Sequence, residues 1–263
     1  KAEPPTLFKP KSVEGYREWA DRLKAEFRPA RRNCIQKGVK SDGVTPKWRC
    51  VDDFRLSGGN GTCTIPEGVD LVSFIWCAVM AIVIALAFMR RGLAKPALNL
   101  GLDDMRAAYR MVPALLYPWV TCMIMYYSFR LAKAVIQTCA GHLFGAKGAN
   151  NNFSRVPRLT CIILVTYFLA PTKAYVDDFM NVDLWTGGGT AHLALEAVLN
   201  SFGFKTEPSK WKRHAPRNKG LGAYTDLSRI PTEGIAMVGP DDDKVTETLE
   251  KLREMRDEGV CSR

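Results

Sequence analysis

The sequence predicts an α+β fold in which an antiparallel sheet is backed by helices. Three observations lead there. Leu98-Asn99-Leu100-Gly101-Leu102 alternates with the period of a strand. Ala174-Tyr175-Val176-Asp177-Asp178-Phe179 places apolar residues on both sides of an acidic pair, as two strands joined by a turn would. Helical spacing appears instead at Tyr16, Trp19, Ala20, Leu23 and Phe27, and again at Leu195, Val198, Leu199 and Phe202.

In chain order, residues 1–11 are proline-rich and read as a loose lead-in to a helix over 13–27. A basic, glycine-punctuated stretch runs from Arg28 to Lys47. Strand-like positions follow across Lys47–Arg55, then a loop at Ser57-Gly58-Gly59-Asn60-Gly61. Leu71 to Met89 carries no charge and lies between Asp70 and Arg90-Arg91. Its length suits a bilayer span, whereas its alanine and valine content suits a helix buried in a protein core. A span would separate the candidate phosphate-binding residues from the candidate acids. A buried helix is therefore expected, with membrane association through 71–89 as the other reading. Met105–Met111 then turns helical, Val112–Leu143 reads as mainly helix, and Ala149–Leu169 as a helix that Pro157 should kink or restart. Gly187-Gly188-Gly189 is a flexible break, and Thr190–Phe202 a helix ended by Gly203. Lys205–Lys219 is basic, Leu221–Leu227 reads as a short strand pair, and Asp243–Glu258 as a terminal amphipathic helix.

Composition narrows the class. With 263 residues, 47% hydrophobic and 24% charged, the chain is globular and long enough for a sizeable core. Lysine and arginine outnumber aspartate and glutamate 37 to 27, and the formal charge of +10 suits a polyanion, nucleic acid before anionic membrane. Eight cysteines form no CxxC pair and only three histidines are present, so no zinc site is expected and a reducing, intracellular compartment is. The chain begins at Lys1 without a signal-peptide pattern and reads as a piece of a longer protein.

The acidic hairpin carries the chemistry. Asp177-Asp178 lacks the glycine a tight turn prefers, and adjacent like charges raise the cost of ionising both. A divalent cation removes that cost. Aspartate pairs also stand at Asp52-Asp53, Asp103-Asp104 and Asp241-Asp242, so the dipeptide alone says little. Two-metal phosphoryl transfer needs carboxylates on rigid elements that meet around ions about 3.5–4 Å apart. Each Mg²⁺ takes few carboxylates and fills its shell with water and substrate phosphates. One aspartate at a strand end, 103 or 104, plus two at a hairpin tip would suffice, with Lys47, Arg49 and Arg55 as cations for a triphosphate. Strand alternation leaves Asp103 and Asp104 both open as the third acid.

These residues also carry a resemblance. Lys47-Trp48-Arg49 with Asp53-Phe54-Arg55 resembles the fingers motif of retroviral and retrotransposon reverse transcriptases. Asp104 with Ala108-Tyr109 is similar to their first palm motif. Phe144-Gly145 with Ala149 and Phe153 resembles the motif that opens the helix beneath template and incoming nucleotide. Tyr175-Val176-Asp177-Asp178 matches the YxDD box, Phe202-Gly203-Phe204 with Pro208 and Lys210 looks like the next palm motif, and Leu221-Gly222 like the start of the primer grip. Phe144 stands where retroviral enzymes carry glutamine, and Ser57-Gly58-Gly59 displaces the asparagine that usually follows the fingers motif.

The resemblance implies a right-hand polymerase, fingers and palm, with the thumb missing or truncated. Residues 1–30 would be a lead-in and 31–97 fingers. Residues 98–228 would be palm, with part of the fingers at 112–143, and 229–263 a terminal helix starting the thumb or connection. The implied activity is RNA-directed DNA polymerisation: a primer 3′-hydroxyl attacks a deoxynucleoside triphosphate on an RNA template, the primer being DNA or RNA. Asp104, Asp177, Asp178 and the Met105 carbonyl would bind two Mg²⁺ ions, or Mn²⁺, with Asp104 and Asp177 the principal ligands. Lys47, Arg49, Arg55, Phe144, Gly145 and Lys210 would contact the nucleotide. Tyr109 would exclude a 2′-hydroxyl. Tyr175, Val176, Leu221 and Gly222 would face template and primer, with Asp53, Ala108, Phe153, Arg155 and Gly203 as structural members. An RNA-dependent RNA polymerase and an inactive retroelement relic that only binds nucleic acid are the alternatives.

Overall fold

The computed structural model describes residues 14, 17, 18, 29–39, 42–62, 65, 68, 71–106, 108–113, 123–139 and 141–257. The proline-rich lead-in, most of the helix expected over 13–27, and residues 114–122 lie outside them. The described strands are β1 (Ala30–Val39), β2 (Pro46–Asp53), β3 (Leu98–Asp104), β4 (Met123–Ser128), β5 (Lys133–Thr138), β6 (Thr172–Tyr175), β7 (Asp178–Leu184), β8 (Lys212–Ala215), β9 (Arg217–Gly220), β10 (Ala223–Asp226) and β11 (Met237–Pro240). The described helices are α1 (Trp76–Arg90), α2 (Ala108–Met111), α3 (Ala149–Tyr167), α4 (Thr190–Ser201), α5 (Ile230–Glu233) and α6 (Asp242–Asp257). Contacts divide the chain into two units, residues 1–69 with 107–155 and residues 70–106 with 156–263.

The first unit is built on a sheet of order β2-β1-β4-β5. β1 and β2 pair antiparallel, and the Arg32 guanidinium on β1 donates to both carboxylate oxygens of Asp52 on β2, at 2.7 and 2.9 Å. Within the basic stretch after Arg28, Ala30–Val39 is strand β1. One expectation is corrected here. Within Val112–Leu143, the described part is mostly a β-hairpin rather than helix, with Met123 opposite Thr138 and Ser128 opposite Lys133. A short aliphatic and aromatic run suits either element, and burial arbitrates. Met123, Ile124, Val135 and Ile136 are fully buried, and a turn through Ala132 at φ 48 reverses the chain. Ala30, Phe54, Ile124 and Leu143 form a small core cluster.

The second unit holds an antiparallel sheet of order β6-β7-β3-β8 and a three-stranded sheet of order β11-β10-β9. Leu98 and Leu100 of β3 and Met180 and Val182 of β7 share one face and pack on Cys77, Ala81 and Ala85 of α1, with Leu227 and Ile230. Small residues on α1 let the helix approach the sheet closely. Its other side, with Val79, Ile82, Val83, Leu86 and Met89, is exposed, so the helix expected to be buried is buried on one face only. Among the described residues no helix is long and apolar enough to cross a membrane.

Three further elements bear on the expectations. α3 runs through Pro157 as one helix, neither ended nor restarted there. Leu221–Leu227 is not a strand pair. Leu221 and Gly222, at φ 51 and 79, form the two-residue turn between β9 and β10. α6 has no buried residue, and its apolar stripe Val245, Leu249, Leu252 and Met255 is exposed.

α4 is fixed at both ends by local chemistry. Asp183 of β7 accepts hydrogen bonds from the Thr190 hydroxyl (3.1 Å) and the Ala191 amide (3.3 Å), occupying one of the donors a helix start leaves open. At the other end Gly203 adopts φ 80, and the Phe204 amide reaches back to the Leu199 carbonyl at 2.9 Å. That is the left-handed glycine termination of a helix.

Candidate active site

In the second unit, strand pairing assembles the acids. β3 and β7 lie antiparallel in the register Leu98↔Leu184 through Asp104↔Asp178, so the two aspartates end adjacent strands side by side. β6 and β7 close with Tyr175 opposite Asp178, leaving Val176 and Asp177 as the turn. Asp178 thus belongs to the strand and only Asp177 to the tip. Val176 takes φ 58, the left-handed conformation a tight hairpin demands and a β-branched residue resists. The Asp177 carbonyl accepts the Met105 amide at 3.0 Å, tying the tip to the end of β3. Met105 is 1% exposed and bridges to Thr206, while the Asp104 carbonyl accepts the Glu207 amide at 2.8 Å.

Electrostatics at this corner is strained in one direction and relieved in another. Burial, the Asp177 carboxylate and a hydrogen bond with Asp104 push the Asp178 carboxyl up to about 6. Lys210 opposes this. Its Nζ donates to Asp104 Oδ2 at 2.6 Å, and the contact holds the ammonium above its ordinary range. The Lys210 side chain is 60% exposed and that of Asp104 10%, so the lysine reaches in from solvent to a nearly covered acid. Asp104, Asp178, Lys210, Lys212, Lys219 and Leu221 line a cleft of about 350 Å³. Lys219 is held in an ion pair with Asp241, and Lys212 donates to the Lys219 carbonyl at 2.6 Å.

Asp103 faces the other way. Alternation turns it to the opposite face of β3, where it is 3% exposed and bonded to His192 Nδ1 at 2.5 Å and the Asn181 amide at 3.3 Å. His192, Trp211 and His214 are polar or aromatic members of this surrounding that sequence reasoning passed over. The available signal was Asp103 itself, an acid at an inward strand position that burial obliges to find partners.

The first unit orders its candidate residues separately. Tyr109 packs its ring on Phe144 and Phe153, with centroids 4.9 and 4.8 Å away, and its hydroxyl donates to Asn150 at 2.8 Å. Arg49 lies over the Phe144 ring at 5.4 Å. Lys47, Arg49 and Arg55 are exposed, as is Arg155, while Ala108 and Phe153 are buried. Gly145 has φ 95, and a Cβ there would collide with the Asp52 carbonyl oxygen. Its glycine is therefore required by close packing on β2. Asp53 accepts the Arg55 and Leu56 amides, at 3.1 and 2.9 Å, and shapes the turn after β2.

Among the described residues, no three His, Cys, Asp or Glu side chains form a ready-made metal cage. The donor set nonetheless suits a hard cation brought with substrate. Asp104 and Asp178 bring two carboxylates together at paired strand ends, and burial first, then the neighbouring acids, raises the Asp178 carboxyl.

No family model matches the sequence, and no curated protein matches it. Solved structures do. The foamy viral protease–reverse transcriptase dRH in complex with double-stranded DNA gives a TM-score of 0.52 at 14% identity, over 80% of this chain and 32% of that chain. The likeness is one of fold. The prototype foamy virus protease–reverse transcriptase CSH mutant gives 0.49 at 12% identity, over 81% of this chain and 23% of that one. This chain thus spans about a third of the first protein's length or less, and is similar in fold to a fragment of a viral reverse transcriptase.

Proposed function

We propose that the chain is the fingers-and-palm portion of an RNA-directed DNA polymerase from a retroelement, a nucleotidyltransferase acting on a primed template. One observation carries the reading: the β3–β7 register sets Asp104 beside Asp178 at strand ends, with Lys210 bonded to Asp104 in an open cleft. The fold likeness to a reverse transcriptase solved with DNA, and the six ordered motifs, support it. In this reading the sheet β6-β7-β3-β8 is the palm.

Asp104 and Asp177 would be the principal ligands of two Mg²⁺ ions, or Mn²⁺, with Asp178 and the Met105 carbonyl as further ligands. When bound, the ions would stabilise charge on the attacking and leaving oxygens. Lys210 Nζ, protonated while on Asp104, would be released as substrate enters and give its proton to the departing pyrophosphate. Leu221 and Gly222 would rest against the primer, and Tyr175 and Val176 against the duplex. The nucleotide roles of Lys47, Arg49, Arg55, Tyr109, Phe144 and Gly145 rest on their motifs. The basic segments 28–49 and 205–219 would contact template and primer phosphates.

The test is extension of a labelled primer on an RNA template with Mg²⁺, comparing dNTPs with NTPs. Extension with dNTPs is expected. A preference for NTPs would make the chain an RNA polymerase, and normal duplex binding without extension would make it a relic.

A further inference from the structure

We propose that His192 is a positioning residue that fixes the Asp104–Lys210 pair from behind the sheet. The argument is one of chain connectivity. Asp104 and Lys210 meet at 2.6 Å in the cleft, and each has a sequence neighbour whose side chain contacts His192. The neighbour of Asp104 is Asp103, buried and bonded to His192 Nδ1 at 2.5 Å. The neighbour of Lys210 is Trp211, whose ring stacks on the His192 imidazole with centroids 4.7 Å apart and planes 26° from parallel. One side chain thus ties together the two backbone positions from which the acid and the lysine project.

The tie is needed because Lys210 is mostly exposed. A lysine on a four-carbon stem in water loses entropy to hold one contact, and exposed pairs of this kind are weak unless their backbones are fixed. The anchor itself is fixed. His192 sits in the first turn of α4, which Asp183 caps through the Thr190 hydroxyl and the Ala191 amide. Behind Asp103 the Asn181 amide donates at 3.3 Å, while its oxygen meets His214 Nε2. A Cβ on Gly101 would run into that histidine and that amide, so β3 leaves room for this network. A histidine that only satisfied a buried carboxylate would need no stack on Trp211 and would have no influence on Lys210.

The proposal rests on the polymerase reading only for its consequence, and the experiment separates the two. The free protein, without nucleotide or nucleic acid, is labelled with limiting acetic anhydride, and acetylation of Lys210 is read by peptide mass spectrometry against Lys219. His192→Ala is expected to raise the Lys210 rate about threefold, the scale of a weakened exposed ion pair, with Lys219 unchanged. Trp211→Leu, which cuts the other tie, is expected to do the same and serves if His192→Ala does not fold. A folded variant that labels Lys210 at the wild-type rate overturns the proposal, whether or not the protein extends primers. Where extension is measurable, His192→Ala is expected to lower kcat roughly tenfold with primer–template affinity unchanged. An unaltered kcat would overturn it as well.

Discussion

Asp178 and Val176 show what single residues give up at the hairpin. The Asp178 carboxyl, ordinarily near 3.8, is raised to about 6. Because its folded value lies above its unfolded one, its contribution favours the fold at low pH and is lost as pH rises through about 6. Partial exposure discounts the magnitude to about 1 kcal/mol. The melting temperature of the cation-free protein, relative to Asp178→Asn, should therefore fall between pH 4 and pH 7. A flat or rising difference would deny that burial and the neighbouring acids raise the Asp178 carboxyl. Val176 at φ 58 carries backbone strain of about 1–3 kcal/mol. Val176→Asn, which tolerates that conformation, is predicted to stabilise the protein by about 1 kcal/mol in urea titration; equal or lower stability would show the turn is not strained.

Elements were legible where local chemistry decides them. The alternation of Leu98–Leu102, the acidic hairpin and the Gly203 stop of α4 read directly from the sequence, because period and glycine conformation are local properties. The β4–β5 hairpin did not, since Met-Ile-Met-Tyr-Tyr and Ala-Val-Ile-Gln fit a helix as well as a strand until burial chooses. The one-sided burial of α1 was equally hidden, because its apolar residues cover its whole circumference. At the site, the motifs pointed to Asp104, Asp177, Asp178 and Lys210, but the Asp103–His192–Trp211 contacts join residues too far apart in sequence for any spacing to show. Two elements carry tests. Asp183→Ala should cost about 1 kcal/mol and speed amide exchange in the first turn of α4, and unchanged exchange would remove Asp183 as its cap. Gly145→Ala should cost more, about 2 kcal/mol, because it adds a left-handed alanine to a collision with β2. A neutral Gly145→Ala would show the packing there to be loose.

For the whole molecule, the charge of +10 and the proposed polymerase cleft belong to one account. In the proposed function, cationic segments would draw in a nucleic acid by releasing its counterions, and the acids would then act on what is delivered. With roughly five phosphate contacts, log affinity for a primed template should fall against log salt with a slope of roughly −4. A slope near zero would detach the positive charge from nucleic-acid binding. The centre of the account is tested most directly by single-turnover primer extension with Asp104→Asn and Asp178→Asn beside the parent protein. Both variants are predicted to lose about a thousandfold in rate, about 4 kcal/mol, while binding the primed template as the parent does. Extension at the parent rate by either variant would contradict it.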